Sequence, residues 1–279
     1  MVKSRWAISY KDIYNNYNYD SLNYLIDIIH GFYSAYKRES EKMGLAGEFE
    51  DKKRQMIRYE IIAKFCQYAE SLGAFIRGYR TQSAGTTVRT DKESKILSEL
   101  SRYKVTQIDD EYKLLTKGKL NNLSQFKEQL LKNIFGYYNI INSRCSNNIR
   151  ESLLNIKELL KEIYYCYRFY KDSYNSYKHG YRLWFARDQK TQLDIAVYIP
   201  TIRGKRKRRK YVPSDDGSLS LVLKCSRYCR QLFDILIGNE RQLLMARKKK
   251  SYVDIDISFL KKNNGGFDIQ KQICSYISR

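Results

Sequence analysis

A chain of 279 residues, 43% of them apolar and 26 of them tyrosine, can bury a core in one large domain or two small ones, which excludes a disordered protein. Its net charge of +22 is uneven, because residues 201–279 hold 19 Lys and Arg against 7 Asp and Glu. Such charge attracts polyanions, more often nucleic acid than an anionic membrane surface. The alternative is that the charge reflects only the lysine-rich proteome of an AT-biased organism.

Four helices are predicted in the first 181 residues, after an irregular polar lead-in over residues 1–19. Apolar residues spaced by three and four predict helices near 20–40, 48–79, 124–138 and 144–180. The pattern weakens over residues 91–123, where we predict one short helix at 96–103 and otherwise a polar excursion.

The helix near 144–180 carries the most regular pattern in the chain. Its apolar residues recur at steps of four and three without a gap, which is typical of a heptad seam on a long helix. The seam begins with aliphatic side chains and continues as tyrosines: Ile149, Leu153, Ile156, Leu160, Ile163, Tyr167, Tyr170, Tyr174, Tyr177 and Tyr181. No proline precedes Pro200, which suits uninterrupted helices. We therefore predict a helical bundle over residues 20–181.

The pattern changes after Gly180 to short segments with the character of strands. The predicted strands are 183–186, 193–199, 211–212 and 252–259. A helix from Asp216 to about Leu236 separates the last two. Residues 182–279 are thus expected to form a small α+β part with an antiparallel sheet, and the fold class is mainly α.

One of the two histidines lies at the end of the long helix. If the helix continues, Asn175, His179 and Arg182 share a face that points away from the tyrosine seam. Asn175 would then orient the imidazole, His179 would move a proton near neutral pH, and Arg182 or Lys178 would neutralise a phosphate. The alternative is an ordinary helix end, closed at Gly180, whose basic side chains complement the helix dipole.

The stretch Tyr174-Asn175-Ser176-Tyr177-Lys178-His179-Gly180 resembles the signature helix of HEPN (higher eukaryote and prokaryote nucleotide-binding) proteins. The resemblance implies a bundle of four or five long antiparallel helices, often dimeric. It also implies a metal-independent ribonuclease of defence or stress response. In that mechanism His179 would be the general base on a ribose 2′-hydroxyl, with Asn175 at the family's polar position.

The family's arginine has no direct counterpart in this chain. The positions open to it hold Asp172, Ser173 and Tyr174. Arg182, one turn later, or Arg168, further back, would have to take its role.

A basic run forms the strongest charge signal. Its cations are Arg203, Lys205, Arg206, Lys207, Arg208, Arg209 and Lys210. So many like charges need water or an anion to screen them. Between two predicted strands, the run is expected to project as a loop that contacts a phosphate backbone, with Lys178 assigned to the same function. The alternatives are a localisation tract or a solvated hairpin tip.

Two pairs of residues come nearest to a metal-binding pattern. Cys225 and Cys229 lie one helical turn apart, and Asp254 and Asp256 share one face of a predicted strand. Core packing explains the cysteines, and an exposed strand face explains the aspartates. No metal or other cofactor is expected.

The remaining sequence patterns bear on the cellular compartment of the protein. No apolar run reaches the length of a membrane span, and no hydrophobic region follows the basic residues 1–5, so we expect neither a membrane partner nor a signal peptide. The six cysteines form no C-x-x-C pair. Reduced thiols and a cytoplasmic location are therefore expected.

The leading hypothesis is a HEPN-like protein that engages nucleic acid, RNA before DNA, and acts as an endoribonuclease. One alternative is a non-catalytic nucleic-acid-binding or scaffolding protein that uses the basic run. Another is a helical interaction protein whose charge is incidental. A pocket that His179 shares with Arg182 or Arg168, or a symmetric homodimer seam around it, would favour catalysis.

Overall fold

Helices account for most of the residues that the structure describes. The structure is a computed structural model. It describes residues 18–41, 48–83, 104–118, 123–141, 143–178, 183–191, 193–198, 201–202, 205–206, 210–247 and 252–277. Within these ranges the helices are α1 (Asn18–Glu41), α2 (Glu48–Ser83), α3 (Val105–Thr116), α4 (Gln125–Ile134), α5 (Ser143–Lys178) and α6 (Asp216–Arg247). The predicted mainly helical fold with a small antiparallel sheet part is confirmed.

The seam of α5 lies in the core. Six of its side chains are at most 1% exposed: Leu153, Ile156, Leu160, Ile163, Tyr167 and Tyr170. The helix holds neither proline nor glycine, so its backbone hydrogen bonds run unbroken over 36 residues. Polar residues off the seam, such as Ser152, Asn155 and Ser173, are buried too. The helix is therefore covered on more than its apolar stripe.

Seven strands lie in the described residues after α5. They are β1 (Leu183–Arg187), β2 (Asp194–Tyr198), β3 (Thr201–Ile202), β4 (Lys205–Arg206), β5 (Lys210–Pro213), β6 (Tyr252–Asn263) and β7 (Gly266–Ile277). They form a three-stranded sheet in the order β1-β2-β5, a β3-β4 pair and a β6-β7 hairpin, with antiparallel neighbours throughout. The predicted hairpin after Gly180 and the third strand are confirmed.

The helix α3 corrects the prediction of a polar excursion. Ile108, Tyr112 and Leu115 recur at helical spacing and are buried. Gly73 of α2 allows the close approach, because a Cβ there would lie 2.7 Å from Ile108 Cγ2. The buried carboxylate of Glu111 accepts from Arg80 Nε at 2.7 and 2.9 Å, so its charge is compensated. The predicted helix at 96–103 lies outside the described residues.

The helix predicted near 124–138 ends earlier, at Ile134. Gly136 adopts φ +76°, a conformation that other L residues rarely adopt. A Cβ at this position would also lie 2.9 Å from Asn239 Cβ. The chain therefore turns here and packs directly against α6.

The hairpin β6-β7 was predicted only in its first strand, which extends to Asn263 rather than residue 259. Side chains from two helices satisfy the backbone of β6 on the side away from β7. Ser152 Oγ accepts from Leu260 N at 2.8 Å, and Asn155 Nδ2 donates to Leu260 O at 2.8 Å. The amide of Asn239 accepts from Ser258 N and donates to Ser258 O. These bonds replace a third strand.

A disulfide between Cys145 and Cys274 joins the start of α5 to β7, with a Cα–Cα distance of 6.4 Å. The expectation that all six cysteines are reduced is therefore wrong. The fold brings together two residues 129 positions apart, and sequence spacing gives no sign of such a pairing. Cys66, Cys166, Cys225 and Cys229 are buried and take part in no disulfide among the described residues.

The described residues form two compact units. The first unit comprises the described parts of Met1–Ala69 and Tyr165–Ser226, and the second those of Glu70–Tyr164 and Arg227–Arg279. The division into a lead-in, a bundle to residue 181 and a following α+β part stays a prediction. No helix in the described part of the chain combines the length and apolar character needed to cross a bilayer.

Candidate nucleic-acid interface

The three-stranded sheet of the first unit has one buried and one open face. Ala196 and Val212 lie opposite each other in the register and are buried, which identifies the inner face. Because side chains alternate along a strand, the neighbouring row Trp184, Val197 and Tyr211 points the other way. Tyr211 is 68% exposed and Trp184 is 38% exposed.

The next row on the open face is apolar as well. It consists of Ala186, Ile195 and Pro213 in register. We call these two rows of three residues the aromatic face. None of the six side chains is charged, although the chain as a whole carries +22. Exposed aromatic rings on a sheet are the platform on which several RNA-binding modules stack unpaired bases.

The basic run lies in the connection between β2 and β5. There β3 and β4 pair antiparallel, with Thr201 opposite Arg206 and Ile202 opposite Lys205. We call residues 199–210 the basic connection. Lys210, its last residue, immediately precedes Tyr211 of the aromatic face. The basic connection therefore ends at the strand that carries Tyr211, although the Lys210 side chain itself lies on the other face of the sheet, toward Asp172 of α5.

Only part of the basic connection can be described. The backbones of Lys205 and Arg206 form β4, whereas Arg203, Lys207, Arg208 and Arg209 lie outside the described residues. Lys210 is exposed, and its Nζ lies 3.6 Å from an Asp172 carboxylate oxygen of α5. The assignment of these cations to nucleic acid stays a prediction.

A pocket lies beside β1, which is an edge strand. It has a volume of about 310 Å³, within the range of small-ligand sites, and lies among Lys52, Met56, Tyr59, Glu60, Tyr177, Leu183, Trp184 and Phe185. The ring centroid of Tyr59 is 5.5 Å from that of Tyr177 and 5.9 Å from that of Phe185. Trp184 lines this pocket and also belongs to the aromatic face, so the two features are continuous.

The described polar groups around the pocket are few. Glu60 accepts a hydrogen bond from the Tyr177 hydroxyl. Burial raises the pKa of the Tyr59 hydroxyl well above its ordinary value, so this ring is neutral at any physiological pH. The Lys52 ammonium group lies on an exposed residue at the rim. The described residues around the pocket thus combine aromatic walls, one carboxylate and one rim cation.

A buried guanidinium fixes the sheet to the helices. Arg58 of α2 pairs with Asp194 at the start of β2, and its Nη2 lies 3.3 Å from Asp216 Oδ1 at the start of α6. It also donates to the Tyr36 hydroxyl of α1 at 2.7 Å. Burial opposes its charge, but Tyr36 and the two carboxylates outweigh that effect and raise the pKa of Arg58. This network holds β2 in a fixed position.

The end of α5 is described as far as Lys178. Asn175 is half-buried and Lys178 is exposed, with its ammonium 5.6 Å from the centroid of the Tyr174 ring. His179 and Arg182 lie outside the described residues, so the predicted catalytic face stays a prediction. Arg168, the other candidate for the missing arginine, is exposed on α5.

The described residues hold no cluster of His, Cys, Asp or Glu that could bind a metal ion. Cys225 and Cys229 are buried along α6, as expected of packing residues. Asp254 and Asp256 lie on the exposed face of β6, and Asp254 accepts from Ser275 Oγ at 2.9 Å.

Comparison with protein-family models, with curated proteins and with solved structures finds no match for this chain. The site is therefore interpreted from its own chemistry. The sequence had predicted the cations of this unit but not the aromatic face or the pocket. The apolar run of residues 183–186 was a usable signal for a strand, yet the alignment of Trp184 with Tyr211 across β2 depends on a register that the sequence does not specify.

Proposed function

We propose that this protein binds single-stranded nucleic acid, RNA before DNA, through the aromatic face and the basic connection. The observation that carries the proposal is the row in which Trp184 and Tyr211 are exposed, on a sheet whose strand β5 directly follows the basic run in the chain. Stacking and charge then act on adjacent parts of one ligand.

The two features supply different parts of the binding free energy. Stacking of a base on an aromatic side chain contributes about 1–3 kcal/mol and requires that the base be unpaired. Lysine and arginine near the phosphates release condensed counterions, which gives affinity without sequence preference. A protein with both features prefers single strands to duplexes, because a duplex offers phosphates but hides its base faces.

The preference for RNA rests on the likeness of residues 174–180 to the HEPN signature. A HEPN-like protein with this interface would cut RNA without a metal, with His179 as general base, Asn175 as the group that orients it, and Arg182 or Arg168 holding the phosphate. The alternative is a binding or scaffolding protein with the same interface and no cleavage.

Substitution of the basic connection tests the binding function. Changing Arg206, Lys207, Arg208 and Arg209 to serine should weaken binding to all sequences and flatten the plot of log affinity against log salt. The slope should change by about 0.7 for each phosphate that the variant no longer contacts. Fluorescence anisotropy of a labelled single-stranded RNA at several salt concentrations measures it.

A variant with the same change in net charge is the control. It replaces Lys104, Lys117, Arg150 and Lys271, all exposed in the second unit, with serine. We expect the salt slope of this control to stay close to that of the unchanged protein. Equal slopes in all three proteins would show that the basic connection does not contact phosphate.

Cleavage of RNA by the purified protein in the presence of a chelator tests the catalytic part. His179→Ala should lower the cleavage rate by about 10²–10⁴-fold, since general base catalysis contributes that much, while RNA affinity and thermal stability are retained. Asn175→Ala should lower it less. Undiminished cleavage by His179→Ala, or cleavage that requires a metal, would contradict the HEPN-type mechanism.

A further inference from the structure

The pocket beside β1 has a closed aromatic end and an open mouth. Tyr59 is fully buried, whereas Met56 is 56% exposed and Trp184 is 38% exposed. The rings of Tyr177 and Phe185 are tilted by 60° and 59° to the ring of Tyr59. Such walls favour a ligand with an apolar, aromatic surface.

Among the described residues around the pocket, one carboxylate is present. Glu60 is half-buried, and among the described residues the only side-chain group that donates to it is the Tyr177 hydroxyl, at Oε1. An ionised carboxylate only accepts hydrogen bonds, and its two oxygens offer about four acceptor sites. Sites therefore remain on both oxygens for a ligand with two donors side by side.

Among the four RNA bases, guanine has this pattern. Its N1–H and N2–H groups lie next to each other on the Watson–Crick edge and match a carboxylate in a bidentate arrangement. Adenine and cytosine offer an amino group beside an acceptor nitrogen, which a carboxylate repels. Uracil offers one N–H between two carbonyl oxygens, and the carboxylate repels these oxygens as well.

The neighbourhood of the pocket fits a base that belongs to a bound strand. Trp184 belongs both to the pocket and to the aromatic face, so a strand stacked on that face lies next to the pocket. Lys52 at the rim is a cation, which suits a phosphate and opposes a cationic occupant such as a quaternary ammonium group.

We propose that the pocket binds one guanine base of a single-stranded RNA, with Glu60 accepting from its Watson–Crick edge and the aromatic side chains enclosing its ring. This inference rests on the proposed function and adds a base preference to it. The preference is local to one nucleotide, whereas the aromatic face and the basic connection accept any sequence.

Calorimetric titration of the full chain with GMP, AMP, CMP and UMP tests this inference. A bidentate pair discriminates by about 5- to 150-fold, so GMP should bind more tightly than the other three by a factor in that range. Glu60→Gln should remove the preference, because the amide replaces one acceptor with a donor. Glu41→Gln, exposed on α1 of the same unit, is the control and should keep it.

Further measurements distinguish a failure of the guanine assignment from a failure of the proposed function. Tyr177→Phe keeps the carboxylate, and its preference for GMP should persist even if Glu60→Gln fails to fold. Equal binding of all four nucleotides, or binding of tetramethylammonium but of no nucleotide, would overturn the guanine assignment. If the salt slope still depends on the basic connection in that case, the proposed function stands without its guanine pocket. If the salt slope does not depend on the basic connection either, the guanine assignment and the proposed function are both wrong.

Discussion

Replacing Cys145 and Cys274 with alanine is expected to lower the free energy of unfolding by about 5 kcal/mol, the value that the chain-entropy treatment gives for a loop of this length. The disulfide ties α5 to β7 across 129 positions, so its removal frees a large part of the unfolded chain. Urea denaturation of the oxidised protein and of the double variant measures the difference as a shift in the midpoint.

A reducing agent supplies the matched control for this prediction. It should shift the midpoint of the unchanged protein toward that of the double variant and leave the variant itself unaffected. An unchanged protein that unfolds at the same urea concentration with and without reductant would contradict a stabilising disulfide. Disulfides persist in oxidising environments, so this pairing is an observation against the cytoplasmic location, which stays a prediction.

The double substitution Trp184→Ala and Tyr211→Ala is expected to lower the affinity for single-stranded RNA by about 30-fold or more. Two stacked bases at about 1–3 kcal/mol each account for a decrease of this size. Tyr211 is 68% exposed, so its truncation should leave the free energy of unfolding nearly unchanged, whereas Trp184 is 38% exposed and its truncation should lower it. Affinities are therefore compared under conditions in which both proteins are fully folded.

Aromatic residues exposed elsewhere provide the control for this second prediction. Tyr24 on α1 and Phe126 on α4 are 63% and 67% exposed. Their joint replacement with alanine should keep the RNA affinity within experimental error. An equal decrease in both double variants would show that the aromatic face has no special role.

The long helices could be predicted because their patterns are local. In α5 the alternating steps of three and four residues indicate one continuous buried stripe, and Leu160 and Ile163 are fully buried in the structure. The absence of proline and glycine in α5 removes the usual interruptions. Such a pattern needs no knowledge of what the helix packs against.

The elements that were missed depend on partners distant in sequence. The helix α3 holds a buried glutamate whose charge is compensated by Arg80, 31 positions earlier. The strand β7 exposes the apolar side chain of Ile273, so its alternation is weak. The hairpin β6-β7 is the exception, because the dipeptide Asn264-Gly265 between its strands is a local turn signal.

The candidate site likewise has a part that the local sequence predicts and a part that it does not. The basic run is contiguous and could be predicted from charge alone, as could a strand on each side of it. The aromatic face and the pocket are assembled from Tyr59, Tyr177, Trp184 and Tyr211, which lie on two helices and two strands. Only the strand register and the packing of α2 and α5 bring such residues together.

The most direct test of the proposed function compares a single-stranded RNA with a duplex of the same sequence at one salt concentration. Binding of the unchanged protein and of the Trp184→Ala, Tyr211→Ala variant to both ligands is measured by fluorescence anisotropy. The interface described above predicts that the variant loses most of its affinity for the single strand and almost none for the duplex, because only unpaired bases can stack on the rings. Equal affinity of the two proteins for the single strand, or an equal decrease on both ligands, would contradict it.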